Sequence, residues 1–180
     1  MHQAVSFSTS LLERLRNETR AEHRAIEATV ELLDPFGSTA RYRSLLEKTL
    51  GFYEPVEKAL YRFEGRDKTG ALIRDLRFLG VVPERIAALP RTTWQPAGSL
   101  AALYGCAYVL EGATLGGRVL LRRAKERLGL TPDAGAAFYF GYGDKTREMW
   151  TRFGATLLRD VSDFYGDDLV TSARETFVRY

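Results

Sequence analysis

Cysteine is nearly absent from this 180-residue sequence, and the single one, Cys106, can form no internal disulfide. It stands in an apolar stretch, which reads as a small buried hydrophobe rather than a reactive thiol. Histidine is almost as scarce. Only His2 and His23 occur, so a zinc site built on several imidazoles or a cysteine cluster has no ligands to draw on. No Ser or Cys stands in a nucleophile elbow, which leaves triad hydrolysis without its nucleophile. There is no dinucleotide fingerprint and no cluster-binding cysteine set, so electrons for any redox step must come from outside. No apolar run is long enough to span a bilayer. The opening MHQAVSFSTSLLERLRNETRAEH has no basic start, apolar block and cleavage site, so the cytoplasm is the expected compartment.

Charge is balanced too evenly for a nucleic-acid binder. Lys and Arg outnumber Asp and Glu by 26 to 23, and the pI is about 9.1. The surplus is arginine scattered along the chain, with no basic tract denser than Arg122, Arg123 and Lys125, which with Arg127 also complement a helix end. Nucleic-acid recognition calls for a concentrated stripe and a recognisable module. A mildly basic surface suits an acidic protein partner instead.

What is present is helix after helix, with no segment alternating at a period of two. Ser10 and Glu13 have capping-box spacing, and Leu15, Thr19, Ile26, Val30 and Leu33 continue at helical intervals as one helix. Asp34-Pro35-Phe36-Gly37 ends it. A second helix from Ser38 or Thr39 carries Tyr42, Leu45, Leu46, Thr49 and Tyr53, and Pro55 is expected to kink or split it before Gly65. A shorter helix is predicted over Asp67 to Leu79, then a connector to Gly98 with one turn around Glu84 to Leu89. A long helix is predicted from Ser99 to Leu128. Thr131-Pro132-Asp133 reads as a helix start, with Thr as cap and Pro at the first position. After Gly141-Tyr142-Gly143, Asp144 is expected to cap a helix reaching Phe164, and a last helix covers Asp167 to Val178. The prediction is an all-α fold, with residues 1–9 a flexible N-terminus and 10–180 a single domain.

Two features stand out against this pattern. Gly112, Gly116 and Gly117 lie inside the long helix, each costing about 1 kcal/mol relative to alanine. Gly112 and Gly116 share a face. That face serves either close helix packing or a kink, or it admits something flat and bulky against the backbone. His23 is the other feature. At the edge of the first helix's apolar face it is either a core or rim histidine or a ligand, and Glu27, four residues on, can order its ring. A haem needs only one protein ligand. Arg16, two turns before His23, can reach a propionate, and a glycine-lined helix opposite would complete the clamp.

Longer stretches carry a resemblance. LRNETRAEHRAIE, residues 15–27, resembles the proximal helix of haem oxygenases, with a basic residue, a threonine, a ligand histidine and a glutamate in that order. YVLEGATLGGR, residues 108–118, resembles the distal helix, particularly of the bacterial branch paired with bacteriophytochromes. FYFGYGDKTREMWTRF, residues 138–153, is similar to that branch's segment meeting the propionates.

The resemblance implies a single-domain helical bundle holding haem between a proximal helix and a glycine-kinked distal one. It implies haem b as substrate and cofactor, opened with O2 to biliverdin, carbon monoxide and ferrous iron. An external reductant such as a ferredoxin is implied, and a bacteriophytochrome as acceptor of the biliverdin. No nucleic acid or membrane takes part. His23 would ligate the iron, with Thr19 and Glu27 beside it. Gly112, Gly116 and Gly117 would form the distal wall, and Arg16, Tyr142, Arg147 and Arg152 would meet the haem edge. The position of the animal enzymes' distal aspartate is Ala113 here. Glu111 points elsewhere on the helix, which leaves Tyr108 and Arg118 as candidates to anchor the distal water. A non-catalytic haem carrier or sensor on the same fold is the alternative that Ala113 keeps open.

Overall fold

The computed structural model describes residues 10–180 apart from Glu64 and Asp67, so the expected flexible segment 1–9 lies outside the described residues. Among the described residues the chain forms α-helices and short helical turns, with no strand.

Helix α1 (Leu11–Glu18) starts in the predicted capping box, the Ser10 hydroxyl accepting from the Glu13 N–H and the Glu13 carboxylate from the Ser10 N–H. The single helix expected up to Leu33 is in fact two. Thr19 breaks it at φ −104°, ψ 10°, and α2 (Arg20–Leu33) follows. The buried Thr19 hydroxyl donates to the Leu15 carbonyl at 2.7 Å, a back-bond that bends helices. The break separates two environments: α1 buries Leu11 and Leu15, whereas α2 buries no residue fully.

Helix α3 (Thr39–Ala59) passes through Pro55 without splitting. Proline removes the N–H that would bond the Gly51 carbonyl, and the Thr92 N–H takes that carbonyl instead, at 2.9 Å. The connector also lies close on α3: a Cβ on Gly51 would stand 2.5 Å from the Pro90 carbonyl oxygen. Helices α4 (Thr69–Phe78) and α5 (Pro83–Ala87) follow near their predicted places.

Helix α6 (Leu100–Leu128) is the axis of the fold. The Ser99 hydroxyl caps it, Gly129 ends it at φ +68°, and it carries its glycines without interruption. Its most extensive packing is on α9 (Gly166–Arg179). There Gly105 lets the backbones meet, since a Cβ on it would overlap the Leu169 carbonyl oxygen.

Two predicted helix starts fail. Thr131-Pro132-Asp133 belongs to a tight turn in which Thr131 and Ala134 exchange backbone hydrogen bonds. Helix α7 (Ala137–Phe140) begins later, its free N–H groups at Ala137 and Phe138 both bonded at 2.8 Å by the Asp75 carboxylate of α4. That cap lies far away in sequence, so no local pattern announces it. Asp144 is fully exposed and caps nothing; α8 (Thr146–Asp160) is entered through a helical turn at Gly143–Lys145 and stops before Phe164.

Candidate functional site

His23 sits one turn into α2, its backbone N–H on the Thr19 carbonyl at 3.0 Å. Its side chain is 58% exposed, which removes the buried-core reading. The ring meets Phe177 of α9 edge-on at 5.8 Å, and Nδ1 faces the Glu27 carboxylate at 3.6 Å. That separation is too long for a hydrogen bond but orients Nδ1 towards an acceptor. Nε2 makes no hydrogen bond among the described residues. Ile26 and Val30, at helical spacing from His23, are only partly buried.

The face of α6 that carries Gly112 and Gly116 stands open. No heavy atom lies within 4 Å of a Cβ built on Gly116, and only the Trp150 ring edge, at 4.0 Å, lies near one on Gly112. Leu115 and Val119, on the same face, are 42% and 49% exposed. Two turns beyond Gly116 that face reaches across to α2: Arg123 pairs with Glu31 at 2.7 Å, and Arg127 pairs with Asp34. At the other end Tyr108 lies beside Thr19 and Arg16, and its ring packs on Trp150 at 5.6 Å. Burial raises the Tyr108 phenol above its ordinary value, while the Arg16 charge and the Thr19 hydroxyl pull it down.

The ties at Tyr108–Thr19 and at Arg123–Glu31 run in the same order along α6 and α2. This sets His23, Ile26, Glu27 and Val30 of α2 at the level of Gly112, Leu115, Gly116 and Val119 of α6; the stretch between these ties is the candidate slot. A flat apolar molecule with an atom that binds an imidazole nitrogen, and with anionic groups at its edge, suits this shape. A side chain at Gly116 would stand in the slot. Trp150, Leu115 and Val119 escaped the sequence reading, although the two aliphatics lie at i+3 and i+7 from Gly112 and so share its face.

Several predicted site residues lie elsewhere. Gly117 faces away from the slot, buried against α7, where a Cβ would stand 2.9 Å from the Tyr139 carbonyl oxygen. It is a packing glycine rather than part of the open wall. Arg118 points towards Asp144 at 3.5 Å, on the side of α6 away from Gly112, so it is not placed to anchor a water in the slot. The Tyr142 hydroxyl donates to Glu111 at 2.8 Å on the flank of α6, not to the slot. Arg152 lies about 200° from Trp150 around α8, which leaves it on a solvated face. Arg147 precedes Trp150 by three residues and shares its side. Cys106 is fully buried, and that burial pushes its thiol up to about 12.

Comparisons with known proteins bear on the family and the fold. The family model for Heme oxygenase matches residues 9–180. A Heme oxygenase of Xanthomonas campestris pv. campestris (strain 8004) is 40% identical over 113 residues, a match covering 59% of this chain and 63% of that protein. The match therefore spans less than two thirds of that relative's length. Among solved structures, the NO- and CO-bound heme oxygenase of Neisseria meningitidis superposes with a TM-score of 0.80 at 23% identity, covering 95% of this chain and 88% of that one. The heme oxygenase of Leptospira interrogans gives 0.75 at 22% identity, over 95% and 96% of the two chains. At these identities the structural likeness speaks for the fold.

Proposed function

The chain belongs to the haem oxygenase family, and on that premise we propose that it opens haem b oxidatively to biliverdin, carbon monoxide and ferrous iron. What supports this reading is an exposed His23 whose Nε2 makes no hydrogen bond among the described residues, together with a stretch of α6 left open at Gly112 and Gly116. Haem supplies its own redox chemistry when bound, as both substrate and the centre that activates O2.

The protein's task is then to bind and orient. His23 would offer Nε2 to the iron, with the Glu27 carboxylate on the Nδ1 side of the ring. Ile26, Val30, Leu115 and Val119 give the macrocycle apolar contacts on both sides. Arg16, with the Tyr108 phenol beside it, would provide a cation and a donor for a carboxylate at the ring edge, and Arg147, on the Trp150 side of α8, would meet a second. Gly112 and Gly116 would leave room for the macrocycle close to the α6 backbone, where no side chain takes up the space.

The electrons come from an external donor such as a ferredoxin, since the sequence holds no redox group of its own. The slightly basic sequence favours an acidic donor. The likeness of residues 108–118 and 138–153 to the branch paired with bacteriophytochromes supports such a protein as acceptor of the biliverdin. A single cysteine without a disulfide partner accords with the cytoplasm.

Ferric haem followed by reductant under air tests the activity. A biliverdin spectrum is expected, and a stable oxy complex with no bilin would favour a haem carrier, the reading that Ala113 supports. His23→Ala tests the ligand: the variant is expected to fold, to lose the histidine-ligated Soret spectrum and to make no biliverdin. An unchanged spectrum would remove His23 from the site.

A further inference from the structure

We propose that Glu111, Arg66, Lys68 and Tyr142 form a positioning clamp that sets α6 against α8 and so holds the Gly112 wall and Trp150 in register; the inference rests on the haem-binding reading above. Glu111 is 4% exposed and lies one residue before Gly112, on the flank of α6 about 100° from Gly112. Its Oε2 accepts from Arg66 Nη1 at 2.5 Å, and its Oε1 accepts from Lys68 Nζ at 2.8 Å and the Tyr142 hydroxyl at 2.8 Å. Lys68 is itself 5% exposed and reaches the Tyr142 oxygen at 3.2 Å. The Tyr142 phenol stays protonated: burial, then the Glu111 charge, push it far above its ordinary value.

Arg66 is the link to α8. Its Nη2 donates to the Met149 carbonyl at 3.2 Å, and its guanidinium lies over the Phe153 ring at 5.5 Å. Those contacts bracket Trp150, the residue whose ring edge approaches Gly112. One ion pair thus joins the turn carrying Gly112 to the turn carrying Trp150.

The physical need is plain. Helices find their register by interlocking side chains, and Gly112 offers none to α8, so the polar contacts beside it fix how this turn of α6 sits against Trp150. An apolar cluster would serve stability as well or better, because desolvating ions is costly. A satisfied buried ionic network instead imposes one geometry.

The test uses Glu111→Gln and Tyr142→Phe in the full chain. Four readouts apply: melting without haem, ferric haem titration, the proton NMR pattern of the haem methyls in the cyanide complex, and the biliverdin isomer ratio on turnover. Both variants should keep the histidine-ligated Soret band. Glu111→Gln should bind haem about fivefold more weakly, the scale of one lost hydrogen bond. It should also shift the methyl pattern and the isomer ratio. Tyr142→Phe should move the same readouts less, with nearly unchanged melting, and it decides the matter if Glu111→Gln fails to fold. Variants that bind haem like the wild type, with its methyl pattern and isomers, would overturn the clamp and leave the function standing. A wild type that binds no haem would overturn both.

Discussion

Helix α6 uses glycine for opposite ends at two places. Gly105 and Gly117 are filled by backbone: the Leu169 carbonyl oxygen occupies the space of one Cβ and the Tyr139 carbonyl oxygen crowds the other. Gly112 and Gly116 have no backbone against them at all. Gly105 even shares a face with Gly112, two turns away, so one stripe of the helix is shut by α9 at its N-terminal half and open towards α2 beyond. Where glycine admits a neighbouring backbone, it contributes to the core. Where it admits nothing from the protein, the helix has accepted a propensity cost of about 1 kcal/mol per residue without a folding return. The proposed binding surface would account for that cost.

Substitution separates the two uses. Gly105→Ala should have the largest effect, a loss of about 3 kcal/mol in urea unfolding, because a carbonyl of α9 cannot move aside as a side-chain tip can. Gly117→Ala should cost about 1–2 kcal/mol, since a Cβ 2.9 Å from the Tyr139 oxygen needs a smaller shift. A variant at either place as stable as the wild type would break the comparison.

Gly116→Ala should act in the reverse sense. The apoprotein gains up to about 1 kcal/mol in an open helix position, while haem affinity falls roughly tenfold as a methyl enters the slot. A drop in apoprotein melting would show that Gly116 packs after all.

Smaller effects sharpen each side. Around the slot, Arg16→Ala should weaken haem binding several-fold, about 1 kcal/mol of a charge-assisted contact, with Arg152→Ala indistinguishable from the wild type in the same titration. On the packing side, Asp75 holds α7 in place beside Gly117. Burial raises its carboxyl above the usual aspartate range, against the pull of the Phe138 and Ala137 N–H groups. Between the unfolded and the folded pKa the folded state therefore binds more of that proton than the unfolded chain does. The stability contributed by Asp75 is fullest at low pH and declines as pH rises through its folded pKa. Unfolding of Asp75→Asn, followed with pH upward from the ordinary aspartate range, should lose part of that decline. An equal slope in both proteins would refute the assignment.

Much of this was legible from spacing. The Ser10–Glu13 box, the span of α6, the placing of His23 with Glu27 and the shared face of Gly112 and Gly116 all follow from about 3.6 residues per turn. Pro55 misled because the partner that rescues its helix, the Thr92 N–H, lies across a connector. Thr131-Pro132-Asp133 misled because α7 takes its cap from Asp75, on α4. Tyr142, Arg118 and Gly117 have a residue type and neighbourhood that suit a haem site, but the rotation of each about its element turns it away from the slot.

The sequence by itself determined the all-α class, the placing of His23 on a helix and the bare helical face, since each depends on residue type and local periodicity alone. Which glycines face backbone and which face the slot was decided only in three dimensions. A helix repeats the same geometry at every turn, and its own residues do not say what comes to lie against them; here that is α9 at Gly105 and α7 at Gly117, both brought in from later in the chain.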